Sequence, residues 1–133
     1  MLGTALLGAR RWLRVVVVDG SSMVPAYSDG DRLLAAYGLN WLPVRRGDVV
    51  VVRAPEPGWR PDHPLHAAHQ TLVKRVSATG GEPRPDGTGL VPVDCMYVEG
   101  DAPGGYDSRV FGPLRRTEIT GRVLGRIASG PHR

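Results

Sequence analysis

The chain has 133 residues, one cysteine (Cys95) and a net charge of +4; Gly and Pro together make up close to a quarter of it. That length holds one ordinary domain, and a single cysteine excludes an internal disulfide and a cysteine metal cage. The Gly and Pro content argues against a helical bundle and for short strands joined by turns.

Residues 1–14 read as a short helical segment with apolar Leu2 to Ala9 interrupted by Arg10, Arg11 and Arg14. The run is shorter than the roughly 18 to 20 apolar residues that a membrane-crossing helix needs. It reads as a packed segment, a peripheral membrane contact or the stub of an anchor. The β-branched run Val15–Val18 predicts a buried strand that stops at the polar turn Asp19-Gly20-Ser21-Ser22. Arg32–Tyr37 predicts a strand after the turn Ser28–Asp31, and Val49–Val52 predicts a buried strand after Gly47-Asp48. Ala54–His69 carries Pro55, Pro57, Pro61 and Pro64 and reads as an excursion. Thr71–Ser77 predicts a strand holding Lys74; Gly80–Pro92 is turn-rich; Cys95–Glu99 is a strand; Ala102–Ser108 is a loop; Ile119–Ile127 is the last strand. The expectation is a mostly β fold, one domain of short antiparallel strands closed as a barrel or sandwich, spanning residues 15–128 with a tail at 129–133.

Two features point to chemistry. Ser21 and Ser22 follow a strand and a glycine turn, where a hydroxyl is exposed and backbone N–H groups can face a developing oxyanion. Serine needs a base to take its proton. His63, His66 and His69 fall in the proline-rich excursion and His132 at the C-terminus, so none lies on a strand beside the serine turn. Lys74 is the only lysine among 17 basic residues. Arginine keeps its proton in a protein, whereas a desolvated lysine can lose it. Moving a lysine from ~10.4 to ~7–8 takes roughly 4 kcal/mol, which burial on a strand can supply. The alternative is a lysine that snorkels to solvent at a sheet edge.

The other candidates are weaker. The histidines spaced by three would suit a metal on a helix face, but Pro61 and Pro64 disfavour a helix there, so a solvated loop and no metal are expected. Cys95 reads as a core residue. Trp12, Trp41 and Trp59 suit packing and a membrane surface equally. The arginines are dispersed and aromatics make up only 6%, so a basic barrel that binds nucleic acid ranks below an enzyme, and no nucleic acid is expected as a partner. A self-cleaving repressor-type domain ranks low as well, because residues 1–14 leave no room for a DNA-binding domain.

Val18-Asp19-Gly20-Ser21-Ser22-Met23-Val24-Pro25 with Gly30-Asp31 resembles the nucleophile box of the type I signal peptidases. Arg46–Val51, then Leu72-Val73-Lys74-Arg75-Val76 with Gly80-Gly81-Glu82, then Gly100-Asp101 with Asp107-Ser108-Arg109, resemble that family's other boxes in order. The resemblance implies a serine endopeptidase with a Ser/Lys dyad and no cofactor. Ser22 is then the nucleophile and Lys74 the general base, with Gly20 and Ser21 supporting the turn and oxyanion site. Met23, Arg75, Asp101, Asp107, Ser108 and Arg109 support the site, and Arg75 is the expected partner of Asp107. The implied partner is a precursor polypeptide bound as an extended strand and cut after small residues to release a signal or leader peptide. Ala102 stands where the family usually has Asn, and Gly105 where it often has a serine that orients the lysine, so a weakened relative is the alternative reading. The short N-terminal segment departs from the family's membrane anchor, which leaves membrane-associated and cytoplasmic placements both open. The small size resembles the maturation proteases assigned to trimming the leader of nickel-type superoxide dismutase.

Overall fold

The computed structural model describes residues 12–38, 43–57 and 69–130. Its strands are β1 (Leu13–Val17), β2 (Arg32–Tyr37), β3 (Val49–Pro55), β4 (His69–Thr79), β5 (Cys95–Glu99), β6 (Leu114–Arg115) and β7 (Ile119–Ala128). A four-residue helix α1 (Ser108–Phe111) and a 3-10 turn (Arg116–Glu118) complete it. All strands join one antiparallel sheet in the order β1-β2-β7-β3-β4-β5-β6. The mostly β expectation holds, in the form of one continuous sheet.

The centre of the sheet follows from side-chain chemistry. Val49–Val52 is β-branched throughout, pairs with β4 on one side and β7 on the other, and is buried at all four positions. Such residues lose little on entering an extended backbone, and each buried valine contributes roughly 1.5–3 kcal/mol. Val50, Val52, Val76, Met96, Val98, Leu114 and Ile119 form the main core, and Ala78, Val91 and Tyr97 a second cluster.

Some expectations are corrected. Val15–Val18 is not a buried strand: β1 runs Leu13–Val17 at the sheet's edge, with Val15 53% and Val17 58% exposed. Of this run only Val18, already past the strand, is buried. Leu13 and Arg14 belong to this strand and not to a helix; the rest of the expected helical segment, residues 1–11, lies outside the described residues. Cys95 is half-buried against the Ala78 cluster. His69 opens β4 and is exposed, while His63, His66, His132, Trp41 and Trp59 lie outside the described residues. Among the described residues no group of acidic, histidine or cysteine side chains could hold a metal, and no helix is long and apolar enough to cross a membrane.

Two irregularities of pairing shape the surface. On its β5 side, β4 is paired only from Arg75 onward, so His69–Lys74 bond to β3 alone among the described residues. Among the described residues β1 likewise pairs only with β2. Although β2, β7 and β3 lie between them in the sheet order, β1 and the start of β4 line a common hollow, so the sheet curls.

Candidate functional site

Alternation along β4 puts Leu72, Lys74, Val76 and Ala78 on one face, the face that also carries Val50 and Val52 across the ladder. Lys74 therefore takes a core-facing place in an otherwise apolar row. It is 3% exposed, not a snorkelling edge residue. Burial pushes its ammonium below the usual lysine range; the Asp107 carboxylate opposes this and the Arg109 guanidinium adds to it. Among the described residues Lys74 makes no ion pair.

The serine turn is held from both sides. Val18 N–H donates to the Asp31 carbonyl and Gly30 N–H to the Val18 carbonyl, each at 2.8 Å. Gly20, at φ +91°, donates its N–H to Asp29 Oδ1 at 2.8 Å, so this amide is engaged in the turn. Met23 is fully buried and its carbonyl accepts from Tyr27 N–H. Met23 thus anchors the turn in the core and leaves Ser22 half-exposed above it. Asp31 is buried; the Ser28 and Gly130 N–H groups and Arg126 hold its carboxyl below the ordinary range.

β5 ends opposite Arg75, and the chain then crosses over Lys74 as the segment 100–107. A Cβ on Gly100 would meet Ser22 Cβ at 3.3 Å and Lys74 Nζ at 3.5 Å. A Cβ on Gly105 would meet Lys74 Nζ at 3.5 Å and Ser22 Cβ at 3.7 Å. The nucleophile candidate and the base candidate thus flank the same two glycines. Ala102 N–H donates to the Ser22 carbonyl at 2.9 Å, which ties the segment to the serine turn.

Asp107 and Ser108 set the height of this crossing. Both are buried, in contrast to a solvated Asp-Ser-Arg turn. Asp107 caps α1 by accepting from Arg109 N–H, and its Oδ2 accepts from Gly100 N–H at 2.9 Å. Ser108 Oγ accepts from Val98 N–H at 2.9 Å. The expected Arg75–Asp107 pair is not formed. Arg75 grips Asp101 through Nε at 2.8 Å and Nη2 at 2.9 Å, while Asp107 takes Arg109. The reason is local: capping turns the Arg109 guanidinium back onto the capping carboxylate, whereas Arg75 lies on the face of β4 opposite Lys74. Burial pushes the Asp107 carboxyl up, but Arg109 and the Gly100 and Arg109 N–H groups outweigh it and hold it below the ordinary range.

Ser22 and Lys74 lie where two hollows meet. One, of about 390 Å³, opens between the serine turn, Pro57, Gln70 and residues 102–106. The other, of about 290 Å³, runs between Val16–Val18 of the β1 end and Gln70–Lys74 of β4. Three residues of this cleft carry no role in the sequence reading. Asp19 and Gln70 line both hollows. Tyr106 donates its hydroxyl to the Pro55 carbonyl at 2.7 Å and sets its ring edge-on to Phe111 at 5.1 Å. The aromatic before Asp107 was the available signal for the last of these.

Comparison with known proteins adds two findings. Residues 1–83 match the family described as signal peptidase, peptidase S26. The match covers the serine turn and Lys74 and ends before the Gly100–Arg109 segment. The chain is also similar to the mitochondrial ATP-independent inner membrane protease subunit 1b of Arabidopsis thaliana, 31% identical over 121 residues, covering 81% of this chain and 66% of that protein.

Proposed function

The chain belongs to the signal peptidase S26 family, and from that premise we propose that it is a serine endopeptidase that removes signal or leader peptides with a Ser22/Lys74 dyad. The observation that carries the reading is the shared position of Ser22 Cβ and Lys74 Nζ around Gly100 and Gly105. A buried lysine with a lowered proton affinity, beside a half-exposed serine in an open cleft, is the arrangement such a dyad requires.

The neutral Lys74 amine takes the proton of Ser22 Oγ as that oxygen attacks the carbonyl carbon of the scissile bond. The Ser22 N–H faces the oxyanion that forms. The ammonium then gives its proton to the departing amine, leaving an acyl ester on Ser22. A water loses a proton to Lys74 and attacks the ester; the acid leaves, and the proton returns to Ser22 Oγ. The substrate strand lies between the two edges left unpaired among the described residues, β1 and the start of β4, where main-chain pairing supplies affinity on both sides. Apolar Val16, Val18 and Leu72 along this hollow suit small side chains before the cut.

The test is cleavage of peptides with alanine one and three positions before the cut, and of a precursor with a nickel-type superoxide dismutase leader as the proposed dedicated substrate. Ser22→Ala and Lys74→Met are each expected to lower turnover by roughly a thousandfold or more. Near-full turnover by Lys74→Met overturns the dyad.

A further inference from the structure

We propose that Asp19 makes the cleft selective for a precursor with a basic side chain close to the scissile bond. The inference rests on the peptidase reading of the same site. Asp19 is exposed and lines both hollows, next to the point where Ser22 and Lys74 meet. Among the described residues lining the two hollows, Asp19 and Lys74 are the only ones with acidic or basic side chains. Lys74 is buried and serves the reaction as a neutral amine, so among the described residues Asp19 is the fixed charge that an incoming peptide meets.

The other carboxylates of the turn are engaged elsewhere: Asp29 accepts from Gly20 N–H, and Asp31 from Ser28 N–H, Gly130 N–H and Arg126. Among the described residues Asp19 forms no ion pair. The chain as a whole carries +4, so a negative cleft mouth runs against the sign of the molecule. It draws a lysine or arginine toward the site and turns away a glutamate.

The test uses peptides with small residues around the cut and a single Lys, Ala or Glu at each of two positions on either side. An exposed pair is modest in strength, so kcat/KM for the best Lys peptide should exceed that for its Glu counterpart by about tenfold at low salt, attraction and repulsion adding. The ratio should shrink as salt screens it. Asp19→Asn should bring the ratio near one, and Asp19→Lys should invert it; mere loss of turn structure would lower all peptides alike. Binding of the same peptides to the Ser22→Ala protein, read by fluorescence anisotropy, reports the preference without cleavage. Equal binding of Lys and Glu peptides, or a ratio that Asp19→Lys leaves unchanged, overturns the inference and leaves the peptidase reading in place. Selective binding by a parent chain that cleaves nothing overturns the peptidase reading and supports the charge selectivity.

Discussion

Gly100 passes so close to the serine turn that a Cβ there would stand 2.7 Å from the Ser22 carbonyl oxygen. That oxygen is backbone, already bonded to Ala102 N–H, so neither partner has a flexible end to move aside. Gly100→Ala must push the 100–105 crossing away from Ser22 and Lys74. The expected result is a loss of roughly a hundredfold in kcat/KM, the scale of an ångström-sized misplacement, with about 1–3 kcal/mol of stability lost to overpacking. Parallel cleavage assays and urea melts check this; an Ala variant as active as the parent shows that catalysis does not depend on the approach.

Lys74 gives two pH signatures with one cause. Only the neutral amine accepts the serine proton, so kcat/KM should rise with pH through an inflection below the ordinary lysine value of 10.5. The stability consequence has a definite sign. Between the lowered folded pKa and the ordinary unfolded one, the unfolded chain binds more protons, so stability climbs with pH across that window. Lys74→Met removes the cost. It should melt higher than the parent near neutral pH, with an advantage that narrows as pH rises toward 10. A constant difference across the range counts against a buried, easily deprotonated Lys74.

How much of this was readable beforehand depends on what each pattern encodes. Arg32–Tyr37 and Cys95–Glu99 coincide with the observed strands because turn residues bound them closely. Val15–Val17 is as β-branched as Val49–Val52, yet one lies at an edge and the other at the centre. Residue type reports strand preference but not the number of neighbours a strand acquires. Four residues of α1 are too few to show a helical period, so Ala102–Ser108 reads as a loop and the cap at Asp107 emerges only in the fold. The ion pairs could not be read from spacing: the expected partner of Arg75 is Asp107, but the end of β5 brings Asp101 beside it instead. The serine and lysine boxes, by contrast, named the two side chains that the fold brings to one cleft.

Asp107 tests whether the crossing segment is held by charge. Its carboxylate serves Gly100 N–H, Arg109 N–H and the Arg109 guanidinium at once while fully buried. Asp107→Ala orphans those donors and should cost about 3 kcal/mol. Because the folded carboxyl lies below the ordinary aspartate value of 3.8, its contribution is complete above that pH and disappears as acid passes through the lowered folded value. The difference between parent and Asp107→Ala in chemical melts should be flat from neutral pH to about pH 5 and collapse in stronger acid. A difference that persists there means that packing, not charge, is what Asp107 supplies.

Gly105 is the reverse of Gly100. A Cβ there makes ordinary contacts, 3.5 Å to Lys74 Nζ, 3.7 Å to Ser22 Cβ and 3.9 Å to Asp107 Oδ2. A serine fits without displacing backbone, and its hydroxyl falls within bonding reach of the amine. One added hydrogen bond of ~1 kcal/mol, formed to a lysine that makes no ion pair among the described residues, should raise kcat about fivefold in Gly105→Ser at unchanged melting temperature. Lower kcat at unchanged stability would show that substrate needs the space.

Tyr106 reaches from the crossing segment to the end of β3, and its two contacts can be separated. The hydroxyl bonds the Pro55 carbonyl and the ring rests edge-on against Phe111. Tyr106→Phe removes the first and keeps the second, so about 1 kcal/mol of stability should go; Tyr106→Ala loses the ring packing as well and should cost about 3 kcal/mol. Gly105 is its chain neighbour, so a loosened Tyr106 lets the wall of the larger hollow move relative to Lys74. Tyr106 and Pro57 line that hollow and not the smaller one. The Phe variant should therefore raise KM several-fold for peptides extended on the side of the cut that occupies the larger hollow, and leave peptides truncated on that side almost unaffected. A uniform fall in kcat for both peptide lengths would instead assign Tyr106 to the alignment of Lys74, through Gly105, and not to the wall that the substrate touches.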